Sequence, residues 1–191
     1  MINKILKYSS LMKYICKCGA GIGLFIVLIL TGMSDSAFAQ IYYVSGDTLW
    51  VQESTNSEPF SIAVGTTLPI YAVEADTAGG YLYWAQDATS DSEIFRAELD
   101  NPENKEVIYG ESGSVRGLAI DHQNQKLYWA DLSNTGEILR ANLDGTEVES
   151  LVAGESEGDT DGILDIALDV ENEKMYWVIT GAVMRANLDG T

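Results

Sequence analysis

Three aspartates recur at one spacing, each seven residues before a tyrosine: Asp76 and Tyr83, Asp121 and Tyr128, Asp169 and Tyr176. Carboxylates held near one another can share a proton and work as general acid and base. A second acidic feature is the segment GESEGDTDGILD at 154–165, with Glu155, Glu157, Asp159, Asp161 and Asp165. These are hard oxygen donors, and DTDG resembles part of a calcium loop, with Asp159, Asp161 and Asp165 as the candidate metal ligands. His122 is the sole histidine.

Each of these features has a plainer explanation. An Asp that occurs once per repeat, at a strand-to-turn junction, accepts hydrogen bonds from the next backbone amides. The full D-x-D-x-D-G…E order of a calcium loop is absent, so a solvated acidic loop is the favoured reading of 154–165. Calcium is the one cofactor left as an alternative. His122 has no serine or cysteine nucleophile pattern beside it and reads as a loop residue. No catalytic residue is assigned, and the chain is read as a non-enzyme.

The elements that must position these residues are strands. From Gln40 onward no window holds a helical apolar period for three turns, whereas runs of four to seven β-formers abound. Turn signals such as Ser45-Gly46-Asp47, Gly79-Gly80, Asp144-Gly145 and Asp189-Gly190 separate them. Three segments align without gaps: AVEADTAGGYLYW (72–84), GLAIDHQNQKLYW (117–129) and IALDVENEKMYW (166–177). Each is followed by a second shared run, IFRAELD (94–100), ILRANLD (138–144) and VMRANLD (183–189). A worn copy, IYYV (41–44) and TLWVQES (48–54), precedes them, and the tyrosines from Tyr42 step by 41, 45 and 48 residues. That period, with four strands per unit, marks β-propeller blades.

In the central copy the strands fall at 115–121, 126–131, 137–143 and 147–152. Leu139, Ala141 and Leu143 share one face of the third strand, and Ile138, Arg140 and Asn142 the other. Both faces of a blade meet neighbouring blades, so Arg96, Arg140 and Arg185 need an acidic or carbonyl partner, sought among Asp121, Asp131 and Asp169 of the adjoining blade. Trp84, Trp129 and Trp177 recur at one position, with Trp50 on the third strand of the worn copy. Burying about 200 Å² of each indole is worth on the order of 5 kcal/mol as an upper bound. They read as blade-to-blade packing.

These units resemble YWTD repeats, the class B repeats of low-density lipoprotein receptors and their bacterial relatives. The motif stands here as Tyr83-Trp84-Ala85-Gln86, Tyr128-Trp129-Ala130-Asp131 and Tyr176-Trp177-Val178-Ile179. Thr is lost from all three, and only Asp131 keeps the closing aspartate. The flanking LAxD and RANLDG runs fit better than the tetrad does. The resemblance covers 40–191 and implies a six-bladed all-β propeller whose relatives mostly act as binding or scaffold modules.

The chain has 191 residues and a formal net charge of −18. Residues 1–39 read as a secretory signal. Lys4, Lys7, Lys13 and Lys17 open it, an apolar run spans Gly19 to Gly32, and Ala37 and Ala39 precede a cut before Gln40. The run is short for a membrane span, although an uncleaved anchor stays open. Removing residues 1–39 leaves 28 acids against 7 bases, a net of −21, a surface that repels nucleic acid and anionic lipid and argues against them as partners. Cys16 and Cys18 are the only cysteines, so the exported part is cysteine-free and needs no disulfide framework. The expected location is secreted or periplasmic.

The expected units are approximately 40–65, 66–112, 113–156 and 157–191, an incomplete ring of about three and a half blades. A truncated gene product, a homodimer or a second chain completing the ring would each account for it. Two functions compete. One is an exported non-catalytic module that binds protein. The other is a fragment of a calcium-dependent propeller hydrolase, for which Glu74 and Asp165 are the only channel ligands on offer.

Overall fold

Alternation of apolar and polar residues over short runs, cut by Gly- and Asp-rich turns, should give antiparallel meanders, and it does. The computed structural model describes residues 12–16, 24–31, 38–45, 47–52, 58, 60–62, 68–87, 92–111, 113–132, 136–153 and 163–191. Every regular element among them is a strand.

The first sheet runs in the order β1 (Met12–Cys16), β2 (Leu24–Thr31), β3 (Phe38–Ser45), β4 (Thr48–Gln52) and β5 (Phe60–Ile62). The second comprises β6 (Ile70–Asp76), β7 (Tyr81–Asp87), β8 (Ser92–Glu98) and β9 (Asn101–Glu111). The third comprises β10 (Val115–Asp121), β11 (Lys126–Asp131), β12 (Glu137–Asn142) and β13 (Glu149–Ala153). The last holds β14 (Asp165–Asp169), β15 (Lys174–Ile179) and β16 (Ala182–Asn187). The expected strands of the central copy agree with the third sheet to within two residues. The expected fold class, all-β with four-stranded antiparallel blades in an open arrangement, holds.

The apolar run of the expected leader does not stand apart in the full chain. β2 pairs along the whole of β3, from Leu24 opposite Ser45 to Thr31 opposite Phe38. The junction between Ala39 and Gln40 therefore falls inside β3. Ala37 lies outside the described residues.

Three apolar cores lie between successive sheets, and the YW pair divides between them. Its two residues point to opposite faces of one strand. Tyr42 and Val44 of the first sheet pack with Trp84 of the second. Tyr83 and Ala85 pack with Trp129 of the third, and Tyr128 and Ala130 with Trp177 of the last. The second and third sheets thus each send a tyrosine forward and a tryptophan back. Trp84 and Trp129 are among the largest fully buried side chains. None of the three indole N–H groups makes a hydrogen bond among the described residues, so their position selects volume rather than polarity.

The innermost strands β6, β10 and β14 lie side by side. Gly117 allows the approach of β10 to β14. A Cβ there would stand 2.7 Å from Asp165 Oδ1 and 2.8 Å from the Ile166 amide nitrogen. Gly145 and Gly190 do the same at the outer edge, with φ of 82° and 88°. A Cβ on Gly145 would lie 2.1 Å from the Ile108 carbonyl oxygen, and on Gly190 2.4 Å from that of Leu151. The Asp-Gly turns of the third and last sheets are thereby seated on the outer strand of the sheet before.

Candidate functional site

The recurring aspartates close the hairpin between the first two strands of each blade. Asp76 Oδ1 accepts from the Ala78 and Gly79 amides at 3.1 and 2.9 Å, and Asp121 Oδ1 from Gln123 and Asn124, both at 3.0 Å. Asp169 accepts from the Asn172 amide at 3.2 Å and from its side chain. The residue four beyond each Asp adopts a left-handed conformation: Gly80, Gln125 and Glu173. Asp76 and Asp121 are buried, and turn closure uses the lone pairs that acid–base chemistry would need free.

The arginines are held differently from expectation. Arg96 donates through Nε and Nη2 to Glu106 at 2.8 and 2.5 Å, and through Nη1 to the Leu143 carbonyl at 3.1 Å. Arg140 repeats this with Glu149 at 2.9 and 2.6 Å and the Leu188 carbonyl at 3.0 Å. The carboxylate comes from the blade's own outer strand, where Glu106 and Glu149 stand opposite the arginine in register. The adjoining blade supplies a carbonyl instead. Asp121 and Asp169 cannot serve because their oxygens are committed to turn amides, and Asp131 accepts from the Ser114 amide at 3.3 Å.

Tyrosine lies at the centre of each junction. Arg140 donates to the Tyr128 hydroxyl at 3.2 Å, and that hydroxyl lies 3.4 Å from the Leu188 carbonyl. Burial pushes the Tyr128 phenol up, against the opposing pull of Arg140. Burial likewise raises Tyr83 and Tyr42 to about 12. Desolvation works against the Arg96 and Arg140 charges, but hydrogen bonds to their Glu and Tyr neighbours more than reverse it and hold both guanidiniums above their ordinary range.

A groove of about 330 Å³ opens between the second and third sheets, lined by Asp76, Tyr81, Tyr83, Arg96, Asn124, Asn142 and Asp144. His122 Nδ1 lies 3.2 Å from Asp76 Oδ1, so the third sheet's first hairpin is tied to that of the second. Sequence reasoning assigned His122 to the loop and missed this tie. The one available signal is its position directly after a repeat aspartate. The groove offers binding polarity, and among the described residues no serine, cysteine or lysine lines it.

Only two of the candidate ligands, Asp165 and Glu74, fall within the described residues. Asp159 and Asp161 lie outside the described residues. Asp165 begins β14, half-buried, with its Oδ1 accepting from the Ile166 amide at 2.9 Å. Glu74 is buried on β6, on the face of Ala72, which packs toward the third sheet. Among the described residues no three acidic, histidine or cysteine side chains gather closely enough to hold a metal. No helix among them is long and apolar enough to cross a membrane.

Sheets that repeat one strand order, joined face to face through a tyrosine and a tryptophan, define a β-propeller module. The repeats are similar to YWTD repeats, the class B repeats of low-density lipoprotein receptors, and two curated proteins support that likeness. It is 32% identical over 113 residues to a low-density lipoprotein receptor-related protein 5-like protein of Homo sapiens, covering 54% of this chain and 44% of that one. It is 30% identical over 74 residues to the vitellogenin receptor of Solenopsis invicta, covering 37% of this chain and 4% of that one. The chain thus matches less than half the length of either relative. No family model matches. Among solved structures, one in a nidogen/laminin complex superposes with a TM-score of 0.64 at 18% identity, over 87% of this chain and 74% of that one. A prolyl endopeptidase superposes at 0.58 and 15%, over 88% of this chain and 25% of that one. At such identities the likeness concerns the fold alone.

Proposed function

We propose that the chain is an exported, non-catalytic module that binds protein. The observation that carries this reading is where the chemistry-bearing repeat residues go. Aspartates close turns, arginines and tyrosines join blades, and tryptophans fill cores. What is left for function is the part that differs between copies, namely the hairpin tips and the acidic segment 154–165. Receptor proteins among the curated relatives, and a nidogen/laminin complex among the structures, support a protein partner. The strongly acidic exported part favours a partner with a basic face. Residues 1–39 act as the export signal, removed before Gln40 while the segment is still unpaired in transit.

Binding is tested on immobilised chain exposed to exported proteins of the same cells, quantified against a variant with Glu155, Glu157, Asp159 and Asp161 changed to Ala. At least a tenfold loss of the retained protein is expected, and equal retention overturns the assignment to that loop. Adding Ca²⁺ or a chelator to the same titration decides between a solvated loop and a calcium site. The hydrolase reading returns if Ca²⁺-dependent turnover exists and vanishes on Glu74→Gln or Asp165→Asn.

A further inference from the structure

The first hairpin of the second sheet departs from its counterparts at one residue. In the third and last sheets the residue three beyond the repeat aspartate is asparagine. Asn124 Nδ2 donates to Asp121 Oδ2 at 2.7 Å, and Asn172 Nδ2 to Asp169 Oδ2 at 2.9 Å. In the second sheet that residue is Gly79. All three polar contacts of Asp76, with the Ala78 and Gly79 amides and His122 Nδ1, fall on Oδ1. Oδ2 has none among the described residues, although the Asp76 side chain is only 2% exposed.

The tyrosine of that sheet differs in the complementary sense. The Tyr128 hydroxyl reaches the Leu188 carbonyl. Tyr83 is fully buried with its hydroxyl beside Arg96, and no acceptor among the described residues takes its proton. Asp76, Gly79 and Tyr83 all line the groove between the second and third sheets. Its wall is completed by Tyr81, which stands in the register position of Lys126 and Lys174 and carries the Arg96 guanidinium 4.7 Å over its ring. The groove thus holds a buried acceptor that lacks a donor and a buried donor that lacks an acceptor, and each is costly to leave unmet.

We infer that this groove is a binding site for a neutral polyhydroxylated ligand of about monosaccharide size. A hydroxyl donates and accepts at once, so it gives a proton to Asp76 Oδ2 and takes that of Tyr83. An ammonium group serves the carboxylate only, and Arg96 in the same wall opposes it. An anion is set against Asp76 and Asp144. The volume of about 330 Å³ is at the small end of ligand sites. The inference goes beyond the protein-binding reading and does not rest on it.

The probes are glucose, galactose, mannose and myo-inositol, with methylamine and acetate as charged comparisons. Each is titrated into the full chain and followed by backbone amide NMR shifts. At least one neutral probe should saturate with a dissociation constant of about 1–10 mM, in keeping with about a dozen heavy atoms. The shifts should gather in the hairpins at 76–80 and 122–125. Tyr83→Phe should weaken binding about fivefold, whereas Tyr128→Phe, one junction on, should leave it unchanged. The Tyr83 hydroxyl has no acceptor to lose, so Tyr83→Phe is expected to keep the wild-type urea midpoint at neutral pH. Gly79→Asn installs the residue of the other two hairpins and should abolish binding, its own amide taking Asp76 Oδ2. No saturation by any neutral probe up to about 100 mM, far beyond that range, overturns the inference and leaves both groups to solvent. So does an affinity indifferent to Tyr83→Phe or to Gly79→Asn, or one weakened equally by Tyr128→Phe. Tighter binding of methylamine or acetate overturns it too, by making the site one for a charge. Retention of exported proteins in the loop-directed assay above is independent of these results, so the two readings fail separately.

Discussion

The third and last sheets carry nearly the same residues and differ in what lies in front of them. Tyr128, Arg140 and Ile138 are enclosed by the next blade, and Tyr128 and Ile138 are buried. Tyr176, Arg185 and Val183 occupy the same register positions, yet Val178 and Val183 are exposed. The difference teaches that burial in this architecture belongs to the junction between blades. A repeat residue is worth little until its neighbour arrives.

The largest test of that comparison is truncation of the core residues. Tyr128→Ala should cost about 3–5 kcal/mol, read by urea unfolding of the full chain, whereas Tyr176→Ala on the open face should cost about 1 kcal/mol or less. Equal losses would break the comparison. Glycine substitutions sharpen it. Gly145 and Gly181 share a left-handed backbone, but nothing lies within 4 Å of a Cβ on Gly181. Gly181→Ala should show only the conformational cost of about 1 kcal/mol, and Gly145→Ala at least about 2 kcal/mol, because the Ile108 carbonyl must move. The arginines come next. Arg140→Ala loses a charge-assisted bond to the Leu188 carbonyl and should cost about 1–2 kcal/mol, against about 0–0.5 kcal/mol for Arg185→Ala at the surface.

Titration gives the smallest effects, and the signs are fixed. Tyr42 and Tyr83 have folded pKa values raised from 10.0 to about 12. Their contribution is complete below pH 10 and is lost as pH rises toward 12. Tyr83→Phe should flatten that alkaline decline in a thermal melt series. Asp144 and Asp189 are depressed by the hydroxyl and amide bonds of Thr146 and Thr191. Stability from them is present above the ordinary carboxylate range and fades as pH falls through the lowered values.

Much of the fold was legible because the repeat states it several times. Period-2 alternation assigned Leu139, Ala141 and Leu143 to one face and Ile138 to the other, and they do pack against different sheets. What sequence could not give was the partner across a strand pair with a bulge. Glu149 lies nine residues from Arg140, and their pairing is set by the length of the turn between β12 and β13, with the bulge at Leu151 falling beyond it. The aspartates were favoured as arginine partners because they recur. They recur because each hairpin needs one. The tie from His122 to Asp76 was hidden for the converse reason, since it spans 46 residues and occurs once.

The central claim is that the forward-facing repeat residues, the Tyr and Arg of each junction, owe their protection to the next blade, while the Trp residues are covered by the blade before. Amide hydrogen exchange of the full chain tests it directly, comparing β12 with β16. The account predicts that β12 amides exchange at least about a hundredfold more slowly than those of β16, which opens locally. Equal protection of the two strands would contradict it.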